Sequence, residues 1–156
     1  MAALTGGCAC GRVRYRLNEA PLFTYACHCT DCQRTTGSAF VIHSTVARQD
    51  FEIEGETRSV MLPTDSGAGY DIHFCANCST YIWCIYHMRS DPVLIIRAGT
   101  FDDAAKIKPG AHIFTDSMQP WFRLPEDVPS FQAAFDRNLT WPVESLDKLA
   151  GLIARA

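Results

Sequence analysis

Gly6-Gly7-Cys8-Ala9-Cys10-Gly11-Arg12-Val13-Arg14-Tyr15-Arg16-Leu17 carries two signals side by side. From Arg12 onward the stretch alternates strictly, with Val13, Tyr15 and Leu17 on one face and Arg12, Arg14 and Arg16 on the other. Period-two alternation predicts a half-buried antiparallel strand, and the arginines suit a solvated face that also guards a sheet edge. The preceding Cys8-x-Cys10 does not fit an uninterrupted strand. An extended chain holds those two side chains too far apart to share a metal, so the chain is expected to kink there. Gly6, Gly7 and Gly11 provide the freedom to do so.

Outward from this stretch, the eight cysteines explain the kink. Seven fall into Cys8-x-Cys10, Cys27-x-Cys29-x-x-Cys32 and Cys75-x-x-Cys78. Closely spaced thiolates wrap a tetrahedral zinc ion at about 2.3 Å, and seven thiols at such spacing argue for metal rather than for scattered buried cysteines. Cys27, Cys29 and Cys32 lie close enough to face one ion together. Cys8, Cys10, Cys75 and Cys78 then form a complete set of four. A four-thiolate site is closed and structural, whereas three protein ligands leave a position for water or substrate. A rival partition pairs Cys29/Cys32 with Cys75/Cys78 as in a zinc ribbon, and leaves Cys8, Cys10 and Cys27 without a role. In the favoured partition the closed site staples the amino-terminal part to mid-chain, offsetting a loop-closure cost of about 3–4 kcal/mol. Cys84, between Trp83 and Ile85, reads as a small core residue.

The rest of the chain is punctuated into short strands, expected at Ala39 to His43, Phe51 to Glu54, Tyr70 to Phe74, Tyr81 to Tyr86, Val93 to Ala98 and Ala111 to Phe114. Turns are expected at Pro63 to Gly67 and Lys108 to Gly110. A helical tail over about 142–154 follows Pro142, its stripe formed by Leu146, Leu149, Ala150 and Ile153. One mostly β domain over 1–156, with short antiparallel sheets and a carboxy-terminal helix, is the reading. With 156 residues, the chain can bury its own core. A formal charge of −3 argues against nucleic acid as the main partner. No apolar run approaches the length of a membrane span. The start carries neither a basic nor an apolar targeting segment, so a cytoplasmic protein with reduced thiols is expected.

Three sets of residues carry a family resemblance. They are Gly6 to Tyr15; Cys27-His-Cys-Thr-Asp-Cys-Gln-Arg-Thr-Thr-Gly-Ser-Ala-Phe40; and Phe74-Cys-Ala-Asn-Cys78 with Gly99-Thr-Phe-Asp102, His112-Ile113 and Pro120-Trp121. Together, over about 6–131, they closely resemble the GFA family of glutathione-dependent formaldehyde-activating enzymes. The resemblance implies a zinc-containing β-tent fold, a structural zinc on Cys8, Cys10, Cys75 and Cys78, and a catalytic zinc on Cys27, Cys29 and Cys32. It also implies a carbon–sulfur lyase that joins formaldehyde to glutathione, its co-substrate, as S-hydroxymethylglutathione. Ser79 stands where members usually carry glycine, Phe101 where they carry leucine, and Met118 where lysine is frequent.

Glutathione bears two carboxylates, which call for cations near the open zinc. Arg34 is the best-placed candidate, and Thr35, Gly37 and Ser38 offer hydroxyls and backbone N–H groups, or else form a plain turn into the next strand. Among the histidines, His28 and His73 are placed to hydrogen-bond behind ligands. His112 is a candidate proton carrier, Trp121 a candidate pocket wall or core residue, and Asp102 a ligand-orienting or turn residue. Two other functions compete. One is a zinc-stabilised binding module, as in the GFA-type domain of centromere protein V, with Arg12, Arg14 and Arg16 as its docking face. The other is a thiol redox protein using Cys29-Thr-Asp-Cys32, which needs that motif to open a helix after a strand.

Overall fold

The computed structural model describes residues 4–64, 67–87 and 92–155. The alternating arginine segment forms a strand over Arg14–Leu17, with Val13, Tyr15 and Leu17 buried and Arg12, Arg14 and Arg16 exposed. It pairs on one side with Leu4–Gly7 (β1) and is therefore β2. Gly6 and Gly7, expected to be a kink, are in fact strand residues. They are glycines because of what lies against them. A Cβ on Gly6 would collide with the Tyr15 hydroxyl and the Thr100 carbonyl, and one on Gly7 with the Val13 carbonyl. The kink comes later, at Gly11, whose φ of 78° is open to glycine at little cost.

Phe23–Cys27 (β3) leads into a helix over Thr30–Thr36 (α1), followed by Val41–Ala47 (β4) and Phe51–Glu54 (β5). β5 closes the first sheet in the order β1-β2-β5. The chain continues through Thr57–Leu62 (β6), Tyr70–Cys75 (β7), Tyr81–Tyr86 (β8), Val93–Arg97 (β9) and His112–Ile113 (β10). The larger sheet runs β10-β3-β4-β9-β8-β7-β6. Every pairing in it is antiparallel except β10 with β3, which is parallel, a departure from the all-antiparallel expectation. The fold is mostly β with short sheets, as the residue pattern predicts. The middle of the expected Pro63–Gly67 turn lies outside the described residues.

Two short helices end the chain, Arg137–Thr140 (α2) and Val143–Ile153 (α3). The buried stripe of α3 differs from the expected one. Leu149 and Leu152 are buried, while Ala150 and Ile153 are exposed. The helix is rotated so that Lys148 sits on the packed side, reaching Asp50 at 2.8 Å and Glu19 at 2.7 Å. No helix among the described residues is long and apolar enough to cross a membrane.

The main core gathers Val13, Tyr15, Leu17, Ile82, Trp83, Ile96 and Phe101 around the buried Cys8 and Cys75. Phe101, standing where the family usually has leucine, packs its ring edge-on to Tyr15 at 5.7 Å between centroids. Cys84 is fully buried, as expected of a core residue. Across the β2 face, the Arg14 guanidinium grips Asp102 with both nitrogens, one of them at 2.9 Å. Thr5 donates to the same carboxylate at 2.6 Å. Asp102 thus ties the small sheet to the chain after β9 rather than orienting a ligand.

Candidate metal centres

Two turns converge to make the first cluster. After β1, Cys8 N–H donates to the Val13 carbonyl at 3.0 Å and Gly11 N–H to the Cys8 carbonyl at 3.1 Å, curling Cys8 and Cys10 towards one point. After β7, Cys75 N–H donates to the Thr80 carbonyl and Ser79 N–H to the Cys75 carbonyl, both at 3.0 Å, curling Cys75 and Cys78 the same way. Ser79 takes a φ of 60°, the left-handed conformation for which the usual glycine is suited. Its hydroxyl accepts a hydrogen bond from Arg58 at 2.9 Å, which helps hold a side chain there.

The sulfurs of Cys8, Cys10, Cys75 and Cys78 lie within 4.8 Å of one another. Donors surround them. Val13 N–H points at Cys8 Sγ at 3.2 Å and Asn77 Nδ2 at Cys10 Sγ at 3.4 Å. The Thr80 hydroxyl, followed by its backbone N–H, pushes the Cys78 thiol down to about 5. N–H and O–H groups aimed at sulfur suit thiolate, the form that binds zinc. This donor set fits a four-thiolate ion seated against the main core.

The second cluster forms where β3 ends and α1 begins. Cys27 closes β3, Cys29 is the N-cap of α1 and Cys32 lies one turn into it, and their sulfurs also lie within 4.8 Å of one another. Cys32 N–H donates to Cys29 Sγ at 3.3 Å in the manner of a helix cap. The crowding lets only one sulfur ionise easily. Hydrogen bonds from the Cys27 and Cys32 thiols, followed by backbone N–H groups, push Cys29 down to about 2. The bond with Cys29 pushes Cys27 up to about 12, and bonds with Cys27 and then Cys29 hold Cys32 well above its ordinary range. Three adjacent thiolates therefore need a cation, and the donor set fits zinc with one position left for another ligand. The Cys29-to-Cys32 motif does open a helix after a strand, so the local context that a redox reading requires is present. Cys27, brought up as the third sulfur, is what favours metal. All eight cysteines are free of disulfides.

Behind Cys32 lies polar machinery that the sequence pattern did not single out. His43 Nε2 is 3.4 Å from Cys32 Sγ. Arg97, only 5% exposed, donates from Nη1 to the His43 ring, 3.0 Å from Nδ1 and 2.9 Å from Nε2. Its guanidinium stacks 3.8 Å from the Tyr81 ring centre. Burial, then the Arg97 charge, pushes the His43 pKa well below its ordinary value, so the ring is neutral. The described residues give Arg97 no carboxylate partner, so its positive charge faces the sulfur triplet through His43. The signal in the sequence was faint: an arginine ending an otherwise apolar strand.

A cavity of about 430 Å³ opens onto this second cluster, lined by Cys27, Cys29 and His43. Its aromatic walls are Tyr25, Tyr70, Tyr86, Phe114, Phe135 and Trp141. The four-cysteine cluster contributes no residue to it.

The other expected site residues lie elsewhere. Arg34, Gly37 and Ser38 line an open groove of about 510 Å³, with Thr30, Gln33, Gln119 and Trp121 but no cysteine. Arg34 is largely exposed and 4.0 Å from Asp31. Thr35 donates its hydroxyl to the Asp31 carbonyl at 2.8 Å, and Gly37 N–H caps α1 on the Gln33 carbonyl, so neither group is spare. Trp121 is 66% exposed and is a groove wall rather than a core residue. His112 pairs with His28 at 2.9 Å, both buried beside Phe122, and does not line the cavity. His28 thus bonds to a second histidine, and His73 stacks on Trp83 at 4.4 Å.

Comparison with known proteins agrees with the cysteine pattern. No curated protein matches the chain. A solved structure of a Rhodobacter sphaeroides protein is similar at 20% identity, covering 67% of this chain and 91% of that one, with a TM-score of 0.47. Residues 3–117 match the family described as glutathione-dependent formaldehyde-activating enzyme. The chain belongs to the GFA family.

Proposed function

We propose that the protein makes and breaks the carbon–sulfur bond of a glutathione–aldehyde adduct, with Cys27, Cys29 and Cys32 holding a catalytic zinc. The observation that carries this reading is the contrast between the clusters. The four sulfurs close on one another beside the core, whereas two of the three border a cavity able to admit a reactant. Zinc bound by three thiolates supplies a position and a positive charge that favour the ionised form of an incoming thiol.

The chain's own residues do the rest. Cys29, capping α1, and Cys27, ending β3, set the direction from which a thiol arrives. Arg97, acting through His43, supports the negative charge gathered on Cys32. The cavity walls bring the aldehyde carbon to the sulfur and exclude water, so alignment supplies most of the rate. In the forward direction the thiolate sulfur forms the carbon–sulfur bond and the carbonyl π pair moves to oxygen. That oxygen takes up the proton the thiol released. The reverse reaction returns it and breaks the same bond. Glutathione would cross the first turn of α1 at Thr30 and Asp31, placing a carboxylate near Arg34 and its thiol at Cys27 and Cys29.

Exchange spectroscopy of formaldehyde, glutathione and S-hydroxymethylglutathione with zinc-loaded protein tests this. Interconversion should speed up with added protein and fall to the uncatalysed rate with Cys29→Ser. No acceleration by a fully zinc-loaded chain, with formaldehyde or with any longer aldehyde, would refute catalysis and favour a binding module.

A further inference from the structure

The cavity at the sulfur triplet is too large and too apolar for formaldehyde, with its single carbon. Its volume of about 430 Å³ falls within the range of pockets that enclose ligands of many atoms. The aromatic walls are already locked together. Tyr70 stacks on Tyr86 with centroids 4.9 Å apart, Tyr25 stands edge-on to Phe135 at 5.4 Å, and Tyr25 stacks on His43 at 5.1 Å. The aliphatic stretch 93–95 of β9 adds another surface. Preformed walls of this kind gain affinity from apolar area without paying to order themselves.

Charge is scarce in the lining. Burial keeps the Tyr86 hydroxyl well above its ordinary pKa and pushes Tyr70 up to about 12, so both are neutral. Apart from the sulfurs, the charged side chains of the lining are Asp31, itself beside Arg34, and Arg137, whose guanidinium lies over the Trp141 ring at 5.6 Å. Glutathione would bring two carboxylates and an ammonium into a space where, away from the sulfurs, one arginine and one aspartate are the charged side chains, at a heavy desolvation cost. That cost argues against the peptide as the occupant of this cavity.

We infer that the cavity seats an apolar group, an aromatic ring or medium-length alkyl chain, carried by the aldehyde component of the adduct. The inference rests on the carbon–sulfur reaction proposed above and assigns its substrate class. Cys27 and Cys29 share the lining with the apolar walls, so an aldehyde anchored by its tail presents its carbonyl carbon to the sulfurs.

Two measurements on the zinc-loaded protein test it. With glutathione saturating, kcat/KM across propanal, butanal, pentanal and hexanal should rise about fourfold per methylene, the gain from burying each one. Ala134, exposed and lining the cavity, offers a way to fill it from outside the core. Ala134→Trp should flatten that rise. Separately, titration with 1-hexanol, which cannot react, should shift the methyl resonances of Val93, Leu94, Ile95 and Ile113. A flat aldehyde series in a chain that does turn aldehydes over overturns the inference, as does the absence of methyl shifts. Methyl shifts without turnover of any aldehyde, formaldehyde included, would refute the proposed reaction and leave the apolar seat standing.

Discussion

Arg97 is the residue whose removal should be felt furthest from its own position. Buried, stacked on Tyr81 and bonded to His43, it places a permanent positive charge behind Cys32. Groups that support metal ligands from behind contribute about 10–100-fold in affinity. Arg97→Met should therefore make the three-cysteine zinc about 10–100-fold easier for a chelator to extract while sparing the four-cysteine zinc. Equal loss from both clusters would show that Arg97 serves packing alone. Gly6 makes a different kind of demand. Phe101 bridges to Gly6, and the Tyr15 hydroxyl, bonded to Thr100 Oγ1 at 2.8 Å, fills the space a side chain would need. Gly6→Ala should cost about 1–3 kcal/mol of stability by overpacking, read from denaturant midpoints. A neutral result would mean the small sheet shifts freely against residues 100 and 101.

Among elements, α3 depends on one partly buried ion cluster. Burial works against the Lys148 charge, but hydrogen bonds to Asp50 and then Glu19 outweigh it and raise its pKa above 10.5. A raised pKa means the folded state holds its proton more tightly than the unfolded one. The stabilisation is thus complete below 10.5 and disappears as pH climbs through the folded-state value. Lys148→Met should cost about 0.5–1 kcal/mol between pH 7 and 9, with the gap to the unmutated protein closing above pH 10.5. A gap unchanged at high pH would assign the loss to packing. The same helix shows where periodicity misleads. Leu146, Leu149, Ala150 and Ile153 form a fair stripe by composition, yet the Lys148 contacts turn Leu152 inward and leave Ile153 in solvent. Strands with regular alternation or a continuous apolar run, such as β2, β5 and β8, are legible in the sequence. β6 is not, because Thr57–Leu62 is an exposed edge strand with little apolar pattern. β3 is also hidden, since Phe23–Cys27 is partly or fully buried along its whole length and its burial does not alternate. The metal clusters are legible because ligand spacing is local. The cavity is not, because its walls come from six separate strands, α1 and the segment 134–141, meeting only in three dimensions.

For the molecule as a whole, one organising idea accounts for the arrangement. The four-cysteine cluster joins the turn after β1 to the turn after β7 beside the main core, across 65 residues of chain. The three-cysteine cluster sits apart, in a satellite core with Val41 and Ile113, at the mouth of the aromatic cavity. Under the proposed function, folding would depend on the first and reactivity on the second, two roles separated in space as well as in ligand number. Zinc counting by native mass spectrometry, paired with circular dichroism, tests this division most directly. The unmutated chain should carry two zinc ions, Cys29→Ser one with its fold intact, and Cys75→Ser should fail to fold. A single zinc in the unmutated chain, or equal unfolding of both variants, would contradict it.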